Sequence, residues 1–281
     1  VTDTSALATV DSICGLIDQV LARRRTTDVI PAGIGVAFGG PVDASRGLTI
    51  RSHRIDGFEQ FPLVGVLEER FGIRAVLEND ARAAAVGEFT FGAGRGARDM
   101  VYLHLGHGVG GGIILGGRLQ HGSSMTSGEL GHMVVTIDGP RCSCGKPGHL
   151  EAYASESAIV ARMRARLMAA GDERTLRWMS GDGISTRRIF DCYAEDEDAR
   201  FIVDETVQVI GLAAANLVTA LNPDALVIGG YVAENATSLT SAIRAKIRQY
   251  AFDAAARRVT VAASDLGSDA AIIGAAVLAT Q

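Results

Sequence analysis

The chain lacks an excess of positive charge: 27 Lys and Arg stand against 32 Asp and Glu, a net charge of -5. That balance does not attract a polyanion or an anionic lipid surface, which argues against a nucleic-acid or membrane partner. It also lacks an apolar run near the roughly 20 residues that a membrane helix needs. Its opening residues, VTDTSALATVDS, carry no basic stretch ahead of an apolar one. These absences predict a soluble, cytoplasmic protein. Long internal repeats and low-complexity linkers are missing as well. Cysteine is scarce, with four residues in 281. Cys142 and Cys144 are too close in sequence for an easy disulfide with each other, and Cys14 and Cys192 sit singly in helix-like patterns, as expected of core thiols.

What is present is a chain that is 47% hydrophobic and long enough for two lobes with a cleft between them. Leu7, Val10, Ile13, Ile17 and Leu21 recur every three or four residues and predict a helix ending in the basic run Arg23 to Arg25. A buried strand at 33–38, a turn at Gly39-Gly40-Pro41 and a helix at 63–72 closed by Gly72 follow. The stretch 73–80 reads as a strand with Asn79 and Asp80 at its carboxyl end, leading into an alanine-rich helix. Residues 100–122 read as two strands with glycines between them and a hairpin turn at Gly116-Gly117. Helices are expected at about 150–169 and 196–221, the second stopped by Asn222-Pro223. A strand at 224–234 runs into a glycine pair; a helix, a strand at 257–263 and a terminal helix from about 268 complete an alternating α/β pattern.

The stretch GELGHMVVTIDGPRCSCGKPGHLEA, residues 128–152, gathers two acids, two histidines and two cysteines. His132, Cys142, Cys144 and His149 have the ligand types and spacing of a tetrahedral zinc site, with Gly145 and Gly148 allowing a tight backbone path. The alternative is two surface thiols and two unrelated histidines. Four protein ligands leave no open position, so such an ion is structural, and it tethers Glu129 and Glu151 nearby as acceptors for sugar hydroxyls. Asp80 has two readings, an N-cap of the next helix or a carboxylate in a cleft. GHGVGGG fits G-x-G-x-x-G through Gly106, Gly108 and Gly111, but the following IILGGRL is strand and turn rather than helix, which excludes a dinucleotide fold.

GELGH, CSCGKPGHLEAYAS, ENDARAAAVGE, GHGVGGGIILGGRL and NPDALVIGG, in this chain from about residue 29 onward, together resemble the ROK family (repressors, open reading frames and kinases). The resemblance implies a two-lobed ribonuclease-H-like fold of the sugar kinase and actin-like ATPase superfamily, and a homodimer. Residues 1–98 and 268–281 then form the smaller lobe, and 99–267 the larger lobe with the zinc loop. By the same resemblance Asp80 is the general base, and Gly40, Asn79, Asp80, Glu129, His132 and Glu151 bind a hexose. His132 serves zinc through one ring nitrogen and sugar through the other. Gly106, His107, Gly108, Gly110 and Gly111 line the phosphates of ATP with its Mg2+, and Gly229 and Gly230 the adenosine side.

Departures from the family pattern stand beside the match. The family's Asp-Gly-Gly-Thr hairpin, which holds ATP phosphates and magnesium, does not occur in these residues, and a preceding segment carrying it is expected. His107 replaces a threonine, and His149 replaces a third cysteine. Arg54 and Phe58 lie in a region that borders the sugar in relatives. The implied activity is ATP-dependent phosphorylation of a hexose, foremost glucose at the 6-hydroxyl, with fructose and N-acetylmannosamine as other substrates. The alternatives are a non-catalytic sugar-binding protein and a fragment of a sugar-responsive repressor; no helix-turn-helix is present for the latter.

Overall fold

A computed structural model describes residues 5–24, 31–52, 54–170, 175–176, 178, 183–236 and 238–281. Helix α1 (Ala6–Arg24) buries Ala6, Val10 and Cys14 on one face; Arg25, the last residue of the expected basic end, lies outside the described residues. Strands β1 (Ile34–Phe38) and β4 (Ala75–Asn79) pair in parallel, from Ile34 with Ala75 to Phe38 with Asn79. Beside them runs a short antiparallel ribbon, β2 (Val42–Asp43) with β3 (Leu48–Thr49). Helix α2 (Leu63–Phe71) is closed by Gly72 at φ 62, a conformation that favours glycine. Phe58, Leu63, Leu67 and Leu77 fill the core among these elements. Phe58 is therefore a core residue, edge-on to Phe38 and Phe61.

After helix α3 (Asp80–Phe91), a five-stranded sheet begins. Its spatial order is β7 (Arg118–Leu119), β6 (Val109–Leu115), β5 (Met100–Leu105), β8 (Ala225–Gly229), β9 (Thr260–Ala263). The first three are antiparallel neighbours, while β5, β8 and β9 are parallel. The expected two strands over 100–122 are thus three, and Gly110, Gly111 and Gly112 lie inside β6 rather than in a turn. The expected helix over 150–169 breaks at Ser155, whose backbone is extended, into α4 (Glu151–Ala154) and α5 (Glu156–Ala170). Helix α6 (Thr186–Asp191) follows, and half-buried Cys192 ends it.

Helix α7 (Glu197–Leu221) is capped by Asp196, which accepts from the Asp198 and Ala199 N–H groups, and ends at Asn222 with φ 45. Its 25 residues and an 18-residue window of mean hydropathy 1.5 within it meet the length and composition of a membrane span. Here Ile202, Ile210, Ala214 and Val218 instead form the centre of a packed core with Leu103, Leu226 and Ile243. Helices α8 (Tyr231–Glu234), α9 (Leu239–Tyr250) and α10 (Asp253–Arg258) complete this side. Arg257 and Arg258, expected in the last strand, belong to α10. Terminal helix α11 (Ala270–Ala279) packs on α3 and β1. Gly87 and Gly274 permit that crossing, because a Cβ on either would run into the opposite helix backbone. The shared core of α3, α11, β5 and β8, built from Ala84, Ala85, Tyr102, Val227 and Ala270, connects the sheets.

Candidate active site and metal loop

The end of β4 forms one wall. Asn79 stops the strand and caps α3, its Oδ1 accepting from the Ala81 and Arg82 N–H groups, while its Nδ2 donates to the Gly40 carbonyl at 3.1 Å. The capping residue is thus Asn79 rather than Asp80. Asp80 occupies the first helical position, where a carboxylate meets the positive end of the helix dipole. Its Oδ1 accepts from the Ala81 N–H at 2.8 Å, and the carboxylate lines a cavity.

Behind this wall lies a buried brace that the sequence analysis passed over. Glu78 accepts from Arg82 Nε and from His121 Nε2, each at 2.6 Å. Arg82 also donates to the Met125 carbonyl at 2.7 Å and the Ser127 carbonyl at 3.3 Å. Burial alone would raise the Glu78 pKa, but the bond from His121, the Arg82 charge and the Asn79 N–H outweigh it and hold the carboxyl below its ordinary value. The brace ties the strand end to the segment that leads into Glu129.

The opposite wall is irregular chain. Cys142 N–H donates to the Lys146 carbonyl and Gly145 N–H to the Cys142 carbonyl, with Gly145 at φ 86, so the backbone curls into a tight knuckle. The donor atoms of His132, Cys142, Cys144 and His149 all lie within 4.8 Å of one another. The two Nδ1 atoms are 3.3 Å apart, Cys142 Sγ is 3.6 Å from His132 Nδ1, and Cys144 Sγ is 3.3 Å from His149 Nδ1. Zinc bonds of about 2.0 to 2.3 Å place tetrahedral ligands about 3.3 to 3.8 Å apart, a range that holds these three distances, so the donor set suits the ion in its chemistry and comes near it in spacing. His132 turns Nδ1 to the cluster and Nε2 toward Glu129 Oε2, 3.9 Å away.

Glu151 joins that loop to the glycine hairpin. Ser143 Oγ donates to its Oε1 at 2.6 Å, with Cys142 Sγ at 3.3 Å, and the Val109 N–H donates to Oε2 at 3.2 Å. Burial acts to raise its pKa, and these bonds bring the net shift below the ordinary value. The hairpin turns through Gly106, His107 and Gly108, with Gly106 N–H bonded to the Gly108 carbonyl at 3.0 Å. His107 sits exposed at the tip, 3.9 Å from Glu156.

One cavity of about 440 Å³ collects most of the candidates: Gly40, Asn79, Asp80, His107, Gly108, Gly110, Glu129, His132 and Glu151. Gly106, Gly111, Gly229 and Gly230 do not line it, nor do Cys142, Cys144 and His149. Along β6 side chains alternate, so Gly110 faces Ala81 whereas Gly111 faces Leu130 in the interior. Arg54 lines the cavity, as do His104, Ser143, Ser155 and Ser157, which the motifs did not single out. The signal for Ser143 was its place between the two cysteines; a histidine in mid-strand, as at His104, carries none.

The model of the ROK family matches residues 2–281. A glucokinase of Halalkalibacterium halodurans is 34% identical over 99% of this chain and 85% of its own. The crystal structure of a ROK family glucokinase from Streptomyces griseus, in complex with glucose and AMPPNP, superposes with a TM-score of 0.79 at 33% identity, covering 99% of this chain and 89% of that one. The DNA-binding transcriptional repressor Mlc of Escherichia coli is 29% identical over 97% of this chain, which spans 66% of it. The fold is that of the sugar kinases and actin-like ATPases. With the match running along nearly the whole chain, this protein belongs to the ROK family.

Proposed function

We propose that this chain phosphorylates a hexose with ATP, and that the substrate is glucose, attacked through its 6-hydroxyl. The observation that supports this best is the single cavity shared by Asp80, Asn79, Glu129, His132, Glu151 and the hairpin turn at His107 and Gly108. Asp80 accepts the proton of the attacking hydroxyl as its oxygen bonds to the terminal phosphorus; the bond to the bridging oxygen breaks, ADP leaves, and the proton passes from Asp80 to solvent. Asn79, Glu129, His132 Nε2, Glu151 and the backbone at Gly40 hold the sugar hydroxyls and so orient the attack. Gly106, His107, Gly108 and Gly110 take the phosphate side and Gly229 and Gly230 the adenosine side, while Gly111, turned toward Leu130, has no contact to offer. Mg2+ bound with ATP supplies neutralisation of phosphate charge. His132, Cys142, Cys144 and His149 would hold a Zn2+ ion, which would fix the loop that carries the sugar-binding residues.

A coupled ADP-release assay with the full-length protein over glucose, mannose, fructose and N-acetylmannosamine tests the reading, with glucose expected to give the highest kcat/KM. Hexose binding without turnover on any sugar would replace it with the second reading, a non-catalytic sugar-binding protein. The similarity to the DNA-binding transcriptional repressor Mlc supports the other alternative, a fragment of a transcriptional repressor.

A further inference from the structure

His104 forms part of the cavity lining between two turns that the sequence motifs treat separately. It lies in β5, two residues before Gly106, and stands opposite Gly229 in the register with β8. A Cβ on Gly106 would lie 2.7 Å from its Nε2, and one on Gly230 would lie 3.0 Å from its Cε1. The ε edge of the ring therefore faces the point where the hairpin turn and the Gly229-Gly230 turn converge, and glycine on both sides leaves that edge uncovered.

Tyr102 decides which ring nitrogen carries the proton. Two residues apart in one strand, Tyr102 and His104 share a face, and the Tyr102 hydroxyl lies 3.3 Å from His104 Nδ1. Burial, with the carboxylates of Glu88, Glu234 and Asp80 adding to it, raises the Tyr102 pKa, so the hydroxyl keeps its proton. A buried hydroxyl needs an acceptor, and Nδ1 is the one it reaches among the described residues. Burial lowers the His104 pKa, against the smaller opposite pull of Asp80 and Glu234, and the ring is neutral near pH 7. A neutral imidazole that accepts at Nδ1 donates at Nε2. The product is an uncharged N–H donor on the cavity wall with no acceptor among the described residues.

We propose that His104 is a binding residue for the phosphate chain of a nucleoside triphosphate, donating from Nε2 to a phosphate oxygen, and that Tyr102 is the positioning residue that locks its tautomer. This rests on the sugar-kinase reading above. The proposed sugar-binding residues already supply acceptors for hydroxyls, whereas a lone donor between two glycine turns suits an anionic oxygen.

Calorimetric titration of the full-length protein with ATP, adenosine and glucose tests the assignment. His104→Leu is expected to weaken ATP binding roughly tenfold, the effect of losing one bond to a charged acceptor, while adenosine and glucose bind as before. His104→Gln, which keeps an N–H near the same place, should restore ATP affinity to within about threefold, and Tyr102→Phe should lose about threefold by releasing the proton to either nitrogen. In nitrogen spectra of the ring, Nε2 should be protonated and Nδ1 bare, and the Nε2 resonance should move on adding ATP but not adenosine. ATP binding unchanged in His104→Leu overturns the inference, as does an equal loss of ATP and adenosine affinity. Should the leucine variant fail to fold, His104→Gln, Tyr102→Phe and the spectra decide the matter. A wild-type protein that binds neither ATP nor any hexose overturns the kinase reading instead.

Discussion

The two walls of the cavity are held by different means. At the end of β4, Asn79 and Asp80 are set by strand pairing to β1, by the first turn of α3 and by a brace whose two charged members, Glu78 and Arg82, are 3% and 2% exposed. Across the cavity, residues 129–151 have one turn of 3-10 helix, two isolated bridges and exposed apolar side chains at Val134 and Ile137. Regular structure forms the first wall from the chain alone. The second anchors Leu130, Val135 and Leu150 in the core but has little regular structure between them, so the four side chains proposed to ligate a metal there would supply what hydrogen-bonded strands and helices supply to the first. The difference predicts that damage to the first wall strikes chemistry or folding, and damage to the second strikes sugar affinity.

The largest expected effect is on the strand-end wall. Asp80→Asn keeps the size of the side chain and removes its basicity, so kcat should fall by about 10²- to 10⁴-fold with the glucose KM little changed. Turnover that stays near wild type would remove Asp80 from the chemistry. Next comes the brace. Glu78→Gln leaves the Arg82 guanidinium buried without its counter-charge, a loss of about 3 to 5 kcal/mol read as a drop in melting temperature. The pH dependence has a definite sign. The folded pKa of Glu78 lies below its ordinary value of 4.5, so the brace contributes fully above that value and is lost as pH falls through the lower, folded one. Melting curves from roughly pH 6 to pH 3 should show that loss in the wild type and a shallower slope in Glu78→Gln. Identical slopes would show that the brace does not act as an ion pair.

The metal comes third. Elemental analysis should find about one zinc per chain, and chelation or Cys142→Ser should raise the glucose KM about 10- to 100-fold. The far-ultraviolet circular dichroism should stay near that of the loaded protein, because the strand-end wall does not depend on the loop. A protein that is metal-free as isolated and binds glucose normally would erase the contrast between the two walls.

The same contrast governs what was legible in the sequence. Motif residues whose placement depends on near neighbours could be read directly: the paired cysteines converge with the flanking histidines, and Asn79-Asp80 stand at a strand end. Residues whose role depends on distant packing could not. Phe58 sits in a segment near the cavity, yet contacts with Phe38 and Phe61 turn it into the core. Gly111 belongs to a glycine run, yet the strand period puts it on the face toward Leu130. Arg82 lies within an alanine-rich helix, and only the arrival of residues 121–127 makes it a brace. His104 shows no motif at all, since its significance comes from the meeting of two turns over a hundred residues apart.

The smallest effect sharpens the comparison most. Ser143 Oγ donates to Glu151 Oε1 from an exposed position between the two cysteines, and it is one of several groups holding that carboxylate. Ser143→Ala leaves the Val109 N–H on Oε2 and the anchoring of the loop intact, so the glucose KM should rise by only about threefold, the share of one exposed hydrogen bond. Zinc content should be unchanged. If the alanine variant instead weakens glucose as strongly as chelation does while keeping its metal, then Glu151 is positioned by side-chain hydrogen bonding rather than by the folded metal loop. The second wall would then be organised like the first, by bonds within the chain.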